Sequence, residues 1–206
     1  MELTNPSSNQ QFDPWRNFKD GDFSSLGILF EKHYRELFYY GNKIVVLPEM
    51  VKDAIQDLFI DVWERRDKMT EVENIKAYLI ISLRRELIRR SLKIRKETST
   101  DQSFASQFSF SPEDFLISSE QNAEHTEILS RSMESLTDRQ REVILLRFYH
   151  NLEFYEVSQV LEMNIQSVRN LLFRALDKIR KDMSDQGVTG VENVEMFLWL
   201  VFGQKK

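Results

Sequence analysis

Between Leu136 and Lys181 the apolar positions fall into three helical runs. Val143, Ile144 and Phe148 share one face of the first run, which Thr137 caps, with Gln140 completing a capping box. His150 and Asn151 break the period, and Asn tolerates the left-handed geometry of a tight turn. The second run turns Val157, Val160 and Leu161 inward. Asn164 caps the third, whose apolar stripe is Val168, Leu171, Leu172, Ala175, Leu176, Ile179 and Met183. The last two runs predict a helix-turn-helix.

The N-terminal half is also periodic. Leu29, Phe30, His33, Tyr34, Leu37 and Phe38 predict an amphipathic helix from Leu26 to about Val46. Pro48 suits the first position of the next helix, which runs to about Arg66 and buries Val51, Ile55, Leu58, Phe59 and Val62. Its exposed stripe is Asp53, Gln56, Asp57, Ile60 and Glu64, which reads either as a solvated face or as a docking face for a basic partner helix anchored by Ile60. After the polar loop 67–74, a helix begins near Ile75 and is apolar nearly all round as far as Leu83, as a buried segment is.

Charge then changes the picture. Arg84, Arg85, Arg89, Arg90, Lys93, Arg95 and Lys96 follow with only Glu86 opposed. Seven cations exceed what a helix dipole needs, so this arm is suited to phosphate contact. The net charge of -5 argues weakly against a nucleic-acid binder, but its distribution matters more. Residues 26–96 are net basic, residues 97–125 carry acids and no Lys or Arg, and residues 126–183 balance. The organisation is a lead-in (1–25), a helical domain (26–96), an acidic linker (97–125), a helix-turn-helix domain (126–183) and an apolar tail (184–206). The fold class is all-α, two small helical domains joined by a flexible tether. Phe104, Phe108, Phe110 and Phe115 are unusual in a pure spacer; they either pack on one of the domains or lie in a partner's basic channel.

Several function classes drop out. The chain has no cysteine, so disulfides and thiolate metal sites are absent, and His33, His125 and His150 form no cluster in sequence. No nucleophile motif, paired carboxylates or phosphate-binding glycine loop points to catalysis, a cofactor or a small-molecule substrate. No signal peptide and no apolar run long enough for stable membrane insertion is present, which makes a cytoplasmic location the expectation.

The third helix of the C-terminal domain carries the functional signal. Its outer face shows Gln166, Arg169, Asn170, Phe173 and Arg174, with Ser167 beside them. Gln and Asn pair with adenine in the major groove and Arg with guanine, while basic residues further along hold phosphates. A plain solvated helix face would look similar.

The order of these segments resembles that of an extracytoplasmic-function sigma factor, from about Phe18 to Met183. FKDGD at 18–22 and LFEKHY at 29–34 resemble the family's opening. DAIQDLFIDVW at 53–63 is similar to the segment that docks on the clamp helices of RNA polymerase. IKAYLIISLRRELIRR at 75–90 resembles the helix behind the promoter-melting loop. LTDRQREVILLR at 136–147 and NIQSVRNLLFRAL at 164–176 resemble the domain that reads the upstream promoter element. The resemblance implies core RNA polymerase, promoter DNA and an anti-sigma factor as partners. It assigns polymerase docking to Asp53, Gln56, Asp57, Ile60 and Glu64, base capture to the loop 67–74, and phosphate contacts to Arg84, Arg85, Arg89, Arg90 and Lys93. Four positions depart from the family pattern: Arg85 stands for Asn, Arg89 for Asp, Glu162 for the turn Gly, and Leu171 for a basic residue.

Two rival readings remain: a helix-turn-helix transcription regulator of another kind, and a sigma-like sequestering adaptor without promoter activity. The tail adds an open question. Met196 to Phe202 is an unbroken apolar run, too short to span a bilayer, and it must pack on its own chain, meet a partner or lie on a membrane surface.

Overall fold

The computed structural model describes residues 13–69, 72–98, 108, 110, 123–187 and 194–203. The described residues contain helices and no strand. In chain order they are α1 (Pro14–Lys19), α2 (Phe23–Ile44), α3 (Pro48–Arg65), α4 (Ile75–Thr98), α5 (Ala123–Glu134), α6 (Asp138–Ile144), α7 (Phe154–Leu161), α8 (Ile165–Asp185) and α9 (Val194–Gly203). A 3₁₀ turn, Arg66–Lys68, follows α3, and a π turn, Leu145–Tyr149, follows α6.

The first four helices form one unit around α2. Asp13 caps α1 and Asp22 caps α2, each carboxylate accepting from backbone N–H groups of the first turn. Pro48 opens α3 as expected. Gly41 lies where α2 comes close to its neighbours, and a Cβ there would run into Val51 and Leu87. His33 is buried in this unit, and burial, aided by nearby Lys32, pushes its pKa down to about 4.

In the C-terminal unit Thr137 and Gln140 form the expected capping box, and Asn151 adopts the left-handed conformation. Asn164 caps α8 by accepting from the Ser167 N–H at 2.7 Å. The α8 stripe is buried from Val168 to Met183, with Leu171 only partly covered. Glu162 ends α7 at φ 54°, ψ 46°, a left-handed geometry that disfavours a side chain, so the missing turn glycine leaves the turn's shape unchanged.

The apolar tail packs on its own chain. Val194, Leu198, Val201 and Phe202 of α9 are buried, and α9 lies against α8 and the π turn. The Trp199 ring meets Phe148 edge-on at 5.3 Å. Phe108 and Phe110 are buried in the same cluster, with Phe110 5.8 Å from Phe202. The reading of the linker phenylalanines as packed side chains therefore holds for these two, while Phe104 and Phe115 lie outside the described residues.

The two units do not stand apart. Their buried residues form one continuous cluster, and α4 packs along α7. The Tyr39 and Tyr149 rings lie 4.7 Å apart across the seam.

Candidate nucleic-acid interface

The amphipathic period of α8 places its outer face in solvent. Gln166, Arg169, Asn170, Phe173 and Arg174 are all exposed, and Ser167 is half-buried at the cap. Gln166 Nε2 donates to Asn170 Oδ1 at 3.1 Å, which lines the two amides along the helix. The Arg169 guanidinium lies 5.4 Å from the Phe154 ring, so its position is set by an aromatic face rather than a carboxylate. Among the described residues neither Arg169 nor Arg174 has an acidic partner within ion-pair distance. Phe173 keeps 67% of its surface exposed, an apolar group available to a thymine methyl or sugar.

On α3 the predicted stripe is also presented to solvent. Asp53, Gln56, Asp57, Ile60 and Glu64 are exposed, with Ile60 at 55%. Val51, Ile55, Leu58, Phe59 and Val62 are buried on the opposite side, as the period required.

The basic arm differs from its prediction. It continues α4 as expected, but its arginines from Arg84 to Arg90 are occupied. Arg84 is buried, and its Nε donates to Glu142 Oε1 at 2.8 Å. The Tyr40 hydroxyl donates to the same oxygen at 2.9 Å. Burial, reinforced by the Glu142 charge, holds the Tyr40 hydroxyl well above its ordinary pKa, so it remains a donor. Burial alone would lower the Arg84 pKa, but the Glu142 carboxylate outweighs it and raises it. Arg84 in this conformation is a structural ion rather than a phosphate ligand.

Its neighbours are occupied on the surface. Arg85 Nε pairs with Glu162 at 3.2 Å, Arg89 with Glu86 at 2.6 Å, and Arg90 with Glu86 at 2.7 Å and Asp57 at 2.5 Å. The two hydrogen-bonded arginines, Arg89 first, hold the Glu86 carboxyl down at about 2. Asp57, assigned to docking, is thus also a counter-ion for α4. Lys93 and Arg95 are exposed further along the helix.

Sequence reading missed the seam residues Tyr40, Glu142, Asn74 and Glu156. Asn74 Nδ2 donates to Glu156 at 2.6 Å between residues 82 apart in sequence. No local pattern marks such a pair. Glu142 offered one signal, an acid beside Val143 and Ile144 where the helix turns inward.

A recess lies between α1 and residues 72–73 of the loop expected to capture a base, and Trp15, Arg16 and Lys19 line it. Residues 70 and 71 of that loop lie outside the described residues. Among the described residues no group of three His, Asp or Glu could hold a metal ion, and no helix is long and apolar enough to cross a membrane.

Comparison with known proteins places these surfaces in a family context. Residues 29–99 match the description "Sigma-70 region 2" and residues 132–181 match "Sigma-70, region 4". The RNA polymerase sigma factor YlaC of Bacillus subtilis (strain 168) is 23% identical over 164 residues, covering 78% of this chain and 92% of that protein. Among solved structures, the sigma factor RpoE in complex with the anti-sigma factor NepR from Bartonella quintana superposes with a TM-score of 0.56 at 18% identity. It covers 77% of this chain and 96% of the other. CnrH in complex with the cytosolic domain of CnrY gives a TM-score of 0.54 at 16% identity, covering 84% and 96%. At these identities the structural matches establish a shared fold.

Proposed function

This chain belongs to the sigma-70 family and serves in promoter recognition and transcription initiation, and from that premise we propose how its surfaces divide the work. The α3 stripe from Asp53 to Glu64 docks on core RNA polymerase: three acids on one line, with Ile60 among them, fit a basic helical partner. The outer face of α8 enters the major groove of the upstream promoter element, with Gln166, Asn170 and Arg169 toward base edges and Arg174 toward phosphate. The loop 67–74 and the start of α4 receive a base flipped from the non-template strand, a step that costs a few kcal/mol and is repaid by stacking. Arg85, Arg89, Arg90 and Lys93 hold phosphates upstream once their present partners release them. On this reading the protein works in the cytoplasm beside its polymerase, as a binding subunit rather than a catalyst. An anti-sigma factor is the expected third partner.

One observation supports this reading: the α8 face that the sequence marked for base contact is open to solvent, while the apolar stripe on the opposite side of the helix is buried. The adaptor reading is favoured by Arg85 and Arg89 at positions where the family carries Asn and Asp. Run-off transcription with core polymerase on a selected promoter decides between them. A sigma factor yields a defined transcript, and Asp53→Lys with Asp57→Lys abolishes both core binding and transcript. An adaptor binds core and yields none. Wild-type co-purification of the double reversal with core would sink the α3 assignment.

A further inference from the structure

Two of the positions where this chain departs from its family, Arg85 and Glu162, lie 77 residues apart in sequence and meet in the structure. Arg85 Nε donates to Glu162 Oε1 at 3.2 Å across the seam between α4 and the helix-turn-helix. Backbone geometry does not explain the glutamate, because φ 54° favours glycine and strains a side chain. What the glutamate adds is the contact with Arg85. Beneath it lies the buried set in which Glu142 accepts from Arg84 and Tyr40, and Asn74 and Glu156 close the other end of the seam.

We propose that Arg85–Glu162 is the outer half of a latch, with Arg84–Glu142–Tyr40 as its inner half, that holds the two units closed and must open before promoter DNA is engaged. The proposal rests on the sigma-factor reading above for its functional consequence, and on the seam contacts alone for its geometry. Closure withholds groups that DNA needs. The first helix of a helix-turn-helix crosses the phosphate backbone. Here that helix, α7, lies along α4 and directs Glu156 to Asn74. Arg85 cannot serve a phosphate and Glu162 together. The inner set fixes how the units register, because a buried ion pair is costly to leave half-made. The outer pair, about 60% exposed on each side, is weak enough to trade partners. A polyanion offering phosphates to Arg85 therefore competes for the outer pair first, and the inner set opens afterward.

The chain has no cysteine, so two introduced thiols label it uniquely. Glu49→Cys on α3 and Arg180→Cys on α8, both outside the proposed binding surfaces, carry a fluorescent donor and acceptor whose separation reports closure. Glu162→Arg sets like charges face to face and keeps the same backbone strain, since arginine is no better suited than glutamate to a left-handed turn. The closed population of the full-length protein should fall by about fivefold relative to open, a size set by the worth of exposed ion pairs. The swap Arg85→Glu with Glu162→Arg should restore it. Glu142→Gln, which keeps the hydrogen-bonding shape and removes the charge, should shift the distance in the same direction. Unchanged separation in Glu162→Arg, or a double swap that behaves like the single variant, would overturn the latch. Core-polymerase binding measured on the same unlabelled wild-type preparation tests the functional reading separately: its loss alongside an intact swap rescue leaves the latch standing and removes the sigma-factor role.

Discussion

Both α4 and α8 are basic, both follow a buried apolar segment or stripe, and both read from sequence as nucleic-acid helices. In the structure they are in opposite states. The central arginines of α4 each hold a carboxylate, three of them drawing at least one partner from another helix. Arg169 and Arg174 of α8 hold none among the described residues. A count of cations measures what a helix carries, whereas availability depends on acids brought alongside by the fold. The difference bears on the proposed order of events: the α8 face is open, Arg84 and Arg85 of α4 are held across the seam until the units part, and Arg89 and Arg90 are held by carboxylates of their own unit.

The largest effect expected from breaking this arrangement comes from α9, which braces the α8 unit. Removing everything after Asp185 strips four buried apolar side chains from the core. At about 1.5–3 kcal/mol each, the upper bound is roughly 6–12 kcal/mol, comparable to the whole stability of many proteins of this size. The truncated protein should melt roughly 10 °C lower or more and bind a hydrophobic dye through the uncovered Phe148 surface. Unaltered melting without dye binding would detach the tail from the fold. The sequence marked this run as needing cover, and could not say by what, because the covering surface comes from Phe148 and from Phe110 of the linker.

Next in size is the seam. Glu142→Ala leaves Arg84 and Tyr40 buried without their shared acceptor, and half-broken buried pairs cost about 3–5 kcal/mol. Replacing exposed Glu127, which pairs with Arg131 within α5, should cost at most about 0.5 kcal/mol. Equal denaturant midpoints for the two variants would mean the seam does not bind the units together.

Breaking the open helix should touch DNA and spare the fold. Arg169→Ala is expected to lose about 1–3 kcal/mol of promoter affinity with unchanged melting, since the Phe154 ring it lies against also carries Arg147. Arg174→Ala should weaken binding evenly across sequences. If both bind a selected promoter like wild type in a titration, the α8 face is turned away from the groove.

Much of this was legible. The periods that placed α2, α3 and α8 are local, so the buried stripes and the exposed Asp53–Glu64 line could be read directly, as could the caps at Thr137 and Asn164. Illegible were the pairings of Arg84 with Glu142 and Tyr40 with Glu142, 58 and 102 residues apart, because a helical period states which way a side chain points and not what faces it. Arg84 shows the cost of that gap. It was read with the surface arginines beside it, yet α4 is still inside the core at that turn, and only a counter-ion from α6 lets the charge remain there.

Acid should destabilise the α2 unit. His33 is neutral and buried in the α2 unit, with its pKa at about 4 against an ordinary 6.5. Above pH 6.5 it is uncharged both folded and unfolded and contributes no pH dependence. As pH falls from 6.5 toward 4 the unfolded chain takes up a proton that the folded one refuses, so stability drops by at most about 1.4 kcal/mol per pH unit. His33→Gln should flatten this limb of the denaturation profile, and an identical slope in the variant would assign it elsewhere.

The smallest effect bears most directly on the two helices. Glu86 sits inside the basic arm and holds Arg89 and Arg90 together. At neutral pH it is fully ionised, because its carboxyl titrates at about 2. Glu86→Gln removes that charge while keeping an oxygen in place. Two same-helix pairs are weakened, each worth roughly 0.3–0.5 kcal/mol, so melting should scarcely move. Arg89 loses the carboxylate it holds among the described residues and Arg90 keeps Asp57, so α4 moves one step toward the state of α8. Non-specific duplex affinity should therefore rise at low salt. If Arg89 then takes up a phosphate, the slope of log affinity against log salt should steepen by about one. An unchanged slope would mean that occupancy by Glu86 is not what keeps these arginines from DNA, and the contrast between α4 and α8 would rest on closure of the seam alone.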